Sequence, residues 1–186
     1  MESEAIKFDE YLANDLEKRF EFLYENYSIM KILIKDYKED LITDVIDMKL
    51  YNRRAEMGET GVRIQVSRSH SSPTERQAIN HMTIEKAVEE GFLDDEFFEG
   101  IDHPDEMIRR ITVYQYVCAD YEIFSKKLHT LDPVDQKVLK PYLLREKTMN
   151  DLASDLGIDY RSAVKKIYRI RKRLSEIVEP RMQKGE

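Results

Sequence analysis

Cysteine is almost missing from this chain, and so are the residues that interrupt helices. Cys118 is the only cysteine among 186 residues, so no intramolecular disulfide can form. Six glycines and five prolines are few for this length, which disfavours many short strands joined by turns and favours long helices. No apolar run approaches the ~20 residues a membrane-spanning helix needs, so no membrane partner is expected. The opening MESEAIKFDE is acidic and lacks the basic-then-apolar order of a secretion signal, so a reducing, cytoplasmic setting is expected. Phosphate loops of the GxxxxGKS/T kind, GxGxxG turns and nucleophile elbows are missing as well. His70, His81, His103 and His129 are too dispersed to suggest a zinc motif. Acidic pairs such as Asp94-Asp95 read as solvated surface, and Cys118 falls on an apolar helix stripe as a core residue rather than a nucleophile. No catalysis, cofactor or metal is therefore expected.

What the chain does contain is charge. Hydrophobic residues make up 41%, enough for folding, while charged residues reach 36%, above the ~25% typical of soluble domains. Such a balance suits solvated helices, in one domain or two small ones of roughly 100 residues or fewer each. The net charge of -7 argues at first against a nucleic-acid partner. The sum hides an asymmetry. From Tyr121 onward there are 15 Lys/Arg against 10 Asp/Glu, and before it 15 against 27, so only the C-terminal part favours phosphate.

Along the first third, Ala13, Leu16, Phe20, Leu23, Tyr27, Met30, Ile34, Tyr37 and Leu41 alternate steps of three and four, and Val45 and Met48 extend the series. This is a heptad seam. Either one helix runs to about Arg54, or two helices fold back near Asn26 to Ser28. The seam over residues 13–48 suits a homodimer or a later helix of the same chain equally well. Residues 55–73 break the pattern as a polar loop, in which VRIQV alternates like a short strand near 62–66. Ser72-Pro73-Thr74-Glu75 forms a helix start with a capping box, and that helix should run to about Glu90 and end at Gly91. Pro104 starts another, with Met107, Ile111, Tyr114, Cys118, Tyr121 and Leu128 along one face, joined by Ile108, Val117 and Phe124. Tyr51-Asn52-Arg53-Arg54 reads equally as a DNA contact or as a polar helix end.

The last unit carries the strongest pattern. Leu131-Asp132-Pro133 opens a helix with an N-cap acid and a first-turn proline. Thr148 caps a second helix bearing Asp151, Leu152, Ala153 and Leu156. Gly157-Ile158-Asp159 makes a turn in which glycine takes the left-handed conformation, Ile158 plugs the core and Asp159 caps the third helix. That helix, Tyr160 to about Val178, sets Ala163, Ile167, Ile170, Leu174 and Ile177 on one side. Arg161, Lys165, Tyr168, Arg169 and Lys172 lie opposite, flanked by Ser162 and Lys166. A basic amphipathic helix alone is often only a solvated face. Two capped helices joined by a short glycine turn form the helix-turn-helix that enters a DNA major groove. Arg161, Lys165 and Arg169 are then expected at or near bases, and Lys147, Lys166, Lys172 and Arg173 at phosphates, with Thr148, Tyr160, Ser162 and Tyr168 in the same interface.

Residues LDPVDQKVLKPYLLREKTMNDLASDLGIDYRSAVKKIYRIRKRL resemble region 4 of the sigma-70 family over the last quarter to third of the chain. Pro141 inside the first helix and Glu146, where that family commonly has glycine, depart from the pattern. The stretch RFEFLYENY is faintly similar to the start of sigma region 2, but no later promoter-melting segment is found. The whole order of segments, with SHSSPTERQAI between helices, resembles phage and prophage transcription regulators of the ArpU/RinA type. That resemblance implies control of late phage genes. The expectation is a mainly all-α protein with a helical interaction region over 1–129 and a DNA-binding helix-turn-helix over 130–186. Its partner is double-stranded DNA, with RNA polymerase as a further one. The rivals are a compact sigma factor acting with core polymerase, and a helical interaction protein without autonomous DNA binding.

Overall fold

The computed structural model describes residues 8–56, 73–91 and 93–182. Among the described residues every regular element is helical. A 3-10 turn, Phe8–Ala13, precedes α1 (Leu16–Asn26), α2 (Met30–Glu56), α3 (Pro73–Glu90), the single turn α4 (Asp95–Phe98), α5 (Pro104–Leu128), α6 (Pro133–Leu143), α7 (Met149–Leu156) and α8 (Tyr160–Val178). A second 3-10 turn, Glu179–Arg181, comes after α8. The short strand expected near 62–66 lies outside the described residues, as does the Ser72 cap ahead of α3. None of the helices among the described residues is long and apolar enough to cross a membrane.

The chain divides into compact units along a different line from residues 129 and 130. One unit is Met1–Ile34 with Tyr116–Glu186, and the other is Lys35–Gln115. The C-terminal helices are thus packed together with α1, the start of α2 and the end of α5.

The heptad stretch contains two helices, broken at Tyr27–Ile29. Asn26 Nδ2 donates to the Phe22 carbonyl at 2.8 Å, a side-chain bond within the last turn of α1. Phe20, Leu23, Tyr27, Met30, Leu41 and Val45 of the seam are buried within this one chain. In the first unit, the Phe20 ring lies 5.5 Å and the Tyr27 ring 5.3 Å from that of Phe124. Of the remaining seam residues, Ala13 is exposed and Leu16, Ile34, Tyr37 and Met48 are half-buried.

On α5 the buried residues are Met107, Ile111, Val113, Tyr114, Val117, Asp120, Phe124 and Leu128. Cys118 and Tyr121, expected on the stripe, are half-buried, and Ile108 is exposed. The face turns toward Asp120 because that carboxylate has a buried partner. Arg19 of α1 donates from Nε to Asp120 Oδ2 at 3.1 Å and also from Nη2. Tyr11 donates its hydroxyl to the same oxygen at 2.9 Å. The guanidinium further lies 5.1 Å from the Tyr11 ring centre and 5.6 Å from that of Tyr116. Burial pushes the Asp120 carboxyl above its ordinary value, and the hydrogen bonds and charge of Arg19 oppose that shift.

The second unit buries Leu41, Ile42 and Val45 of α2, Ile84 and Val88 of α3, and Met107 and Ile111 of α5. Lys38 bonds Glu85 and Glu89, each at 2.8 Å, and Arg110 bonds Asp44 at 2.7 Å. Asn52 donates to the Gly100 carbonyl and to Asp102, which gives this residue of the YNRR stretch a structural role. Asp94 caps α4 by accepting from the Phe97 amide at 2.8 Å.

Candidate nucleic-acid interface

The local chemistry of the C-terminal unit starts at its caps. Asp132 accepts from the Val134 amide at 3.0 Å and Pro133 sits at the first helical position, so α6 begins as its sequence dictates. Pro141 falls in the last turn of α6, where the missing N–H interrupts the ladder, and the helix ends at Leu143. The Pro141 carbonyl then accepts from the amides of Glu146 and Lys147 at 2.9 and 3.2 Å. The left-handed residue of this bend is Arg145, with φ 57°, and not Glu146.

Thr148 and Asp151 form a reciprocal capping box. The Asp151 amide donates to Thr148 Oγ1, and Thr148 N–H and Oγ1–H donate to Asp151 Oδ2 at 2.8 and 2.7 Å. These bonds hold the Asp151 carboxyl below its ordinary range. At the other end Gly157 has φ 61°, and the Ile158 amide donates to the Ala153 carbonyl at 3.0 Å. Ile158 does not plug the core, since it is exposed. The left-handed glycine carries the chain outward there, and Leu152 and Ala153 fill the buried side instead. Asp159 accepts from Ser162 N at 3.0 Å and from Ser162 Oγ at 2.6 Å, which caps α8 and lowers the Asp159 carboxyl.

Helix α8 buries Ala163, Ile167, Ile170, Leu174 and Val178. The stripe ends on Val178, while Ile177 is exposed, because the steps four apart from Ile170 lead through Leu174 to 178. This face touches α6, α7 and α1. The opposite face is solvent-exposed at Arg161, Lys165, Tyr168, Arg169 and Lys172, and Lys166 is half-buried. Among the described residues none of these five cations, Arg161, Lys165, Lys166, Arg169 and Lys172, has an ion-pair partner. Tyr160 and Tyr168 are 53% and 63% exposed, so each could lie flat against a ligand beside the cations.

Other expected members are differently placed. Thr148 and Ser162 are engaged in caps. Lys147 bonds Asp155 at 2.5 Å, and this hydrogen bond raises the lysine above its ordinary value. Arg173 bonds the buried Asp135 at 2.8 Å, which ties α8 to α6. Each of these cations already shares its charge with a carboxylate.

The periodicity missed one cation. Arg171 stands at the border of the apolar stripe, four residues beyond Ile167. Its Nη2 reaches Glu21 of α1 at 2.6 Å, and its guanidinium lies 5.0 Å from the Tyr24 ring centre. Arg171 thus holds α8 against α1. Burial is the main reason the Tyr24 hydroxyl is raised well above its ordinary value.

No family model matches the chain, and neither the curated proteins nor the solved structures compared with it contain a match.

Proposed function

We propose that this protein is a sequence-specific DNA-binding transcription regulator that places α8 in the major groove. The observation that carries this reading is the solvent face of α8. Arg161, Lys165, Arg169 and Lys172 project from it together, without carboxylate partners among the described residues, while the opposite face is anchored on α6, α7 and α1. A rigid helix that offers unpaired cations and two exposed tyrosines matches what groove edges and phosphates require. The capped α7, the left-handed Gly157 and the capped start of α8 support a helix-turn-helix assignment. The similarity of the same segment to sigma-70 region 4, and of the segment order to ArpU/RinA-type regulators, points to transcription and to a phage or prophage setting.

The test is selection of bound fragments from the source genome at near-physiological salt, with an Arg161/Lys165/Arg169→Ala variant in parallel. A shared element recovered by the wild type and lost by the variant supports the reading and supplies the site. Recovery of nothing, or of the same random DNA by both, removes autonomous specific binding through α8. RNA polymerase core would then be tested as the missing partner.

A further inference from the structure

A cleft of about 490 Å³ lies in the first unit, between the turn that joins α1 to α2, the last turns of α5, and α6. That volume falls in the range of small-ligand sites. Its walls are basic in a chain whose net charge is -7. Lys31, Lys126 and Lys140 all line it, and the single carboxylate on its wall, Glu122, is bonded to Lys126 at 2.7 Å. Lys31 and Lys140 have no ion-pair partner among the described residues. Two like charges facing one cleft without an acid between them repel each other, and a bound anion would relieve that repulsion.

Neutral polar groups line the cleft as well. His129 is oriented by its Nδ1, which must carry hydrogen to meet the Ser125 carbonyl at 2.7 Å. That leaves Nε2, an acceptor on the neutral ring, able to take a hydrogen bond from the P–OH of hydrogen phosphate. Ser28 also lines the cleft, and its hydroxyl, shielded from solvent, has no hydrogen-bond partner among the described residues. A buried hydroxyl without a partner is costly, and a turn of the Ser28 side chain toward an acceptor in the cleft would satisfy it. Ser28 and Lys31 stand beside the first turn of α2, the positively polarised end of a 27-residue helix.

We propose that this cleft binds a phosphate group between Lys31, Lys140, His129 and Ser28. The phosphate is carried either by a small phosphorylated ligand or by the backbone of DNA, and only the second source rests on the DNA-binding reading above.

The full chain would be titrated with inorganic phosphate at constant ionic strength and in the absence of DNA, with the His129 ring and the Ser28 amide followed by NMR. Lys31→Ala/Lys140→Ala and Ser28→Ala variants would be run alongside. Both lysines are exposed, so unchanged circular dichroism is expected and would confirm folding. Saturable shifts are expected in the wild type, with the midpoint raised by about tenfold or more in the double variant and by less in Ser28→Ala. Duplex binding by the same proteins separates the two sources. Unchanged duplex affinity in the double variant, with phosphate saturation lost, assigns the cleft to a small phosphorylated ligand. A loss of duplex affinity with a salt slope shallower by about one to two assigns it to the DNA backbone. Phosphate shifts that are linear and identical in wild type and double variant, with duplex binding also unchanged, would overturn the proposal. If the wild type binds no duplex at all, the phosphate titration still decides whether the cleft takes an anion.

Discussion

Arg171 of α8 and Glu21 of α1 lie 150 residues apart in the chain and meet at 2.6 Å. The contact makes α1 part of the unit that carries the basic helix. The pair is half-exposed, and exposed pairs contribute only about 0.2–1 kcal/mol, with roughly 0.5–1 kcal/mol more where a guanidinium lies over a ring. Glu21→Gln should therefore lower stability by less than about 1 kcal/mol in urea. Arg171→Ala should cost more, because it also gives up the Tyr24 contact. Equal losses in both variants would show that the ring contributes nothing.

The buried pair behaves differently. Asp120→Asn or Arg19→Met leaves one uncompensated group in the core, and each should cost about 3–5 kcal/mol. A Tyr11→Phe/Arg19→Met/Asp120→Leu combination removes all three polar partners together. It should recover much of that loss, since well-packed apolar replacements for buried pairs are often near neutral. The urea midpoints of the singles and the combination decide it. Additive losses would show that the triad stabilises the core outright.

Two left-handed residues in the C-terminal unit should respond in opposite directions. Gly157 has φ 61° and an added Cβ would meet nothing within 4 Å, so Gly157→Ala pays only in backbone conformation, roughly 1–2 kcal/mol. Arg145 already bears that strain at φ 57°, and its side chain makes a weak bond to the Glu25 carbonyl at 3.3 Å. Arg145→Gly should stabilise by up to about 1 kcal/mol. Thermal melts of both variants would check the signs, and a destabilised Arg145→Gly would mean the Glu25 bond outweighs the strain.

The caps of α7 and α8 make a pH prediction. The carboxyls of Asp151 and Asp159 are held below their unfolded values by the bonds to Thr148 and Ser162. A depressed folded value means that the stabilisation is fully present above the ordinary carboxylate range, near pH 4, and is lost as pH falls through the lower folded value. The stability difference between wild type and Asp159→Asn, measured by denaturation, should stay level at neutral pH and change only below about pH 4. A difference that already changes between pH 6 and 8 would locate the responsible group elsewhere.

On DNA the cations of α8 should separate by role. Arg161→Ala or Arg169→Ala should relax discrimination between sites by about 1–3 kcal/mol where the arginine meets a base edge. Lys172→Ala should weaken all sequences alike and reduce the salt slope by about one. Arg173→Ala should act mainly on stability, because its partner is Asp135. Competition binding across a series of salt concentrations distinguishes these outcomes.

Local pattern carried much of the architecture. The all-helical class, the end of α3 at Gly91, and every cap from Asp132 to Asp159 depend on residues within a few positions of one another, so they are legible in order along the chain. The basic face of α8 was legible for the same reason, because a period of 3.6 residues sorts cations from apolar residues without reference to anything else. The same reasoning went astray where a neighbour remote in sequence decides the outcome. The heptad seam has a period but no address, and only packing showed that Phe20 and Tyr27 meet Phe124. Asp120 was not singled out by spacing, and only the fold brings Arg19 and Tyr11 to it. Ile158 looked like a core residue until the turn carried it outward. Arg173 was expected at phosphate, while the fold pairs it with Asp135 and pairs Arg171 with Glu21. The sequence by itself determined the helical class, the caps of α6 to α8 and the basic side of α8, since those depend on backbone capping and side-chain spacing. Which apolar face meets which, and which charges remain unpaired at the surface, was decided only in three dimensions, because both depend on partners 38 to 150 residues away.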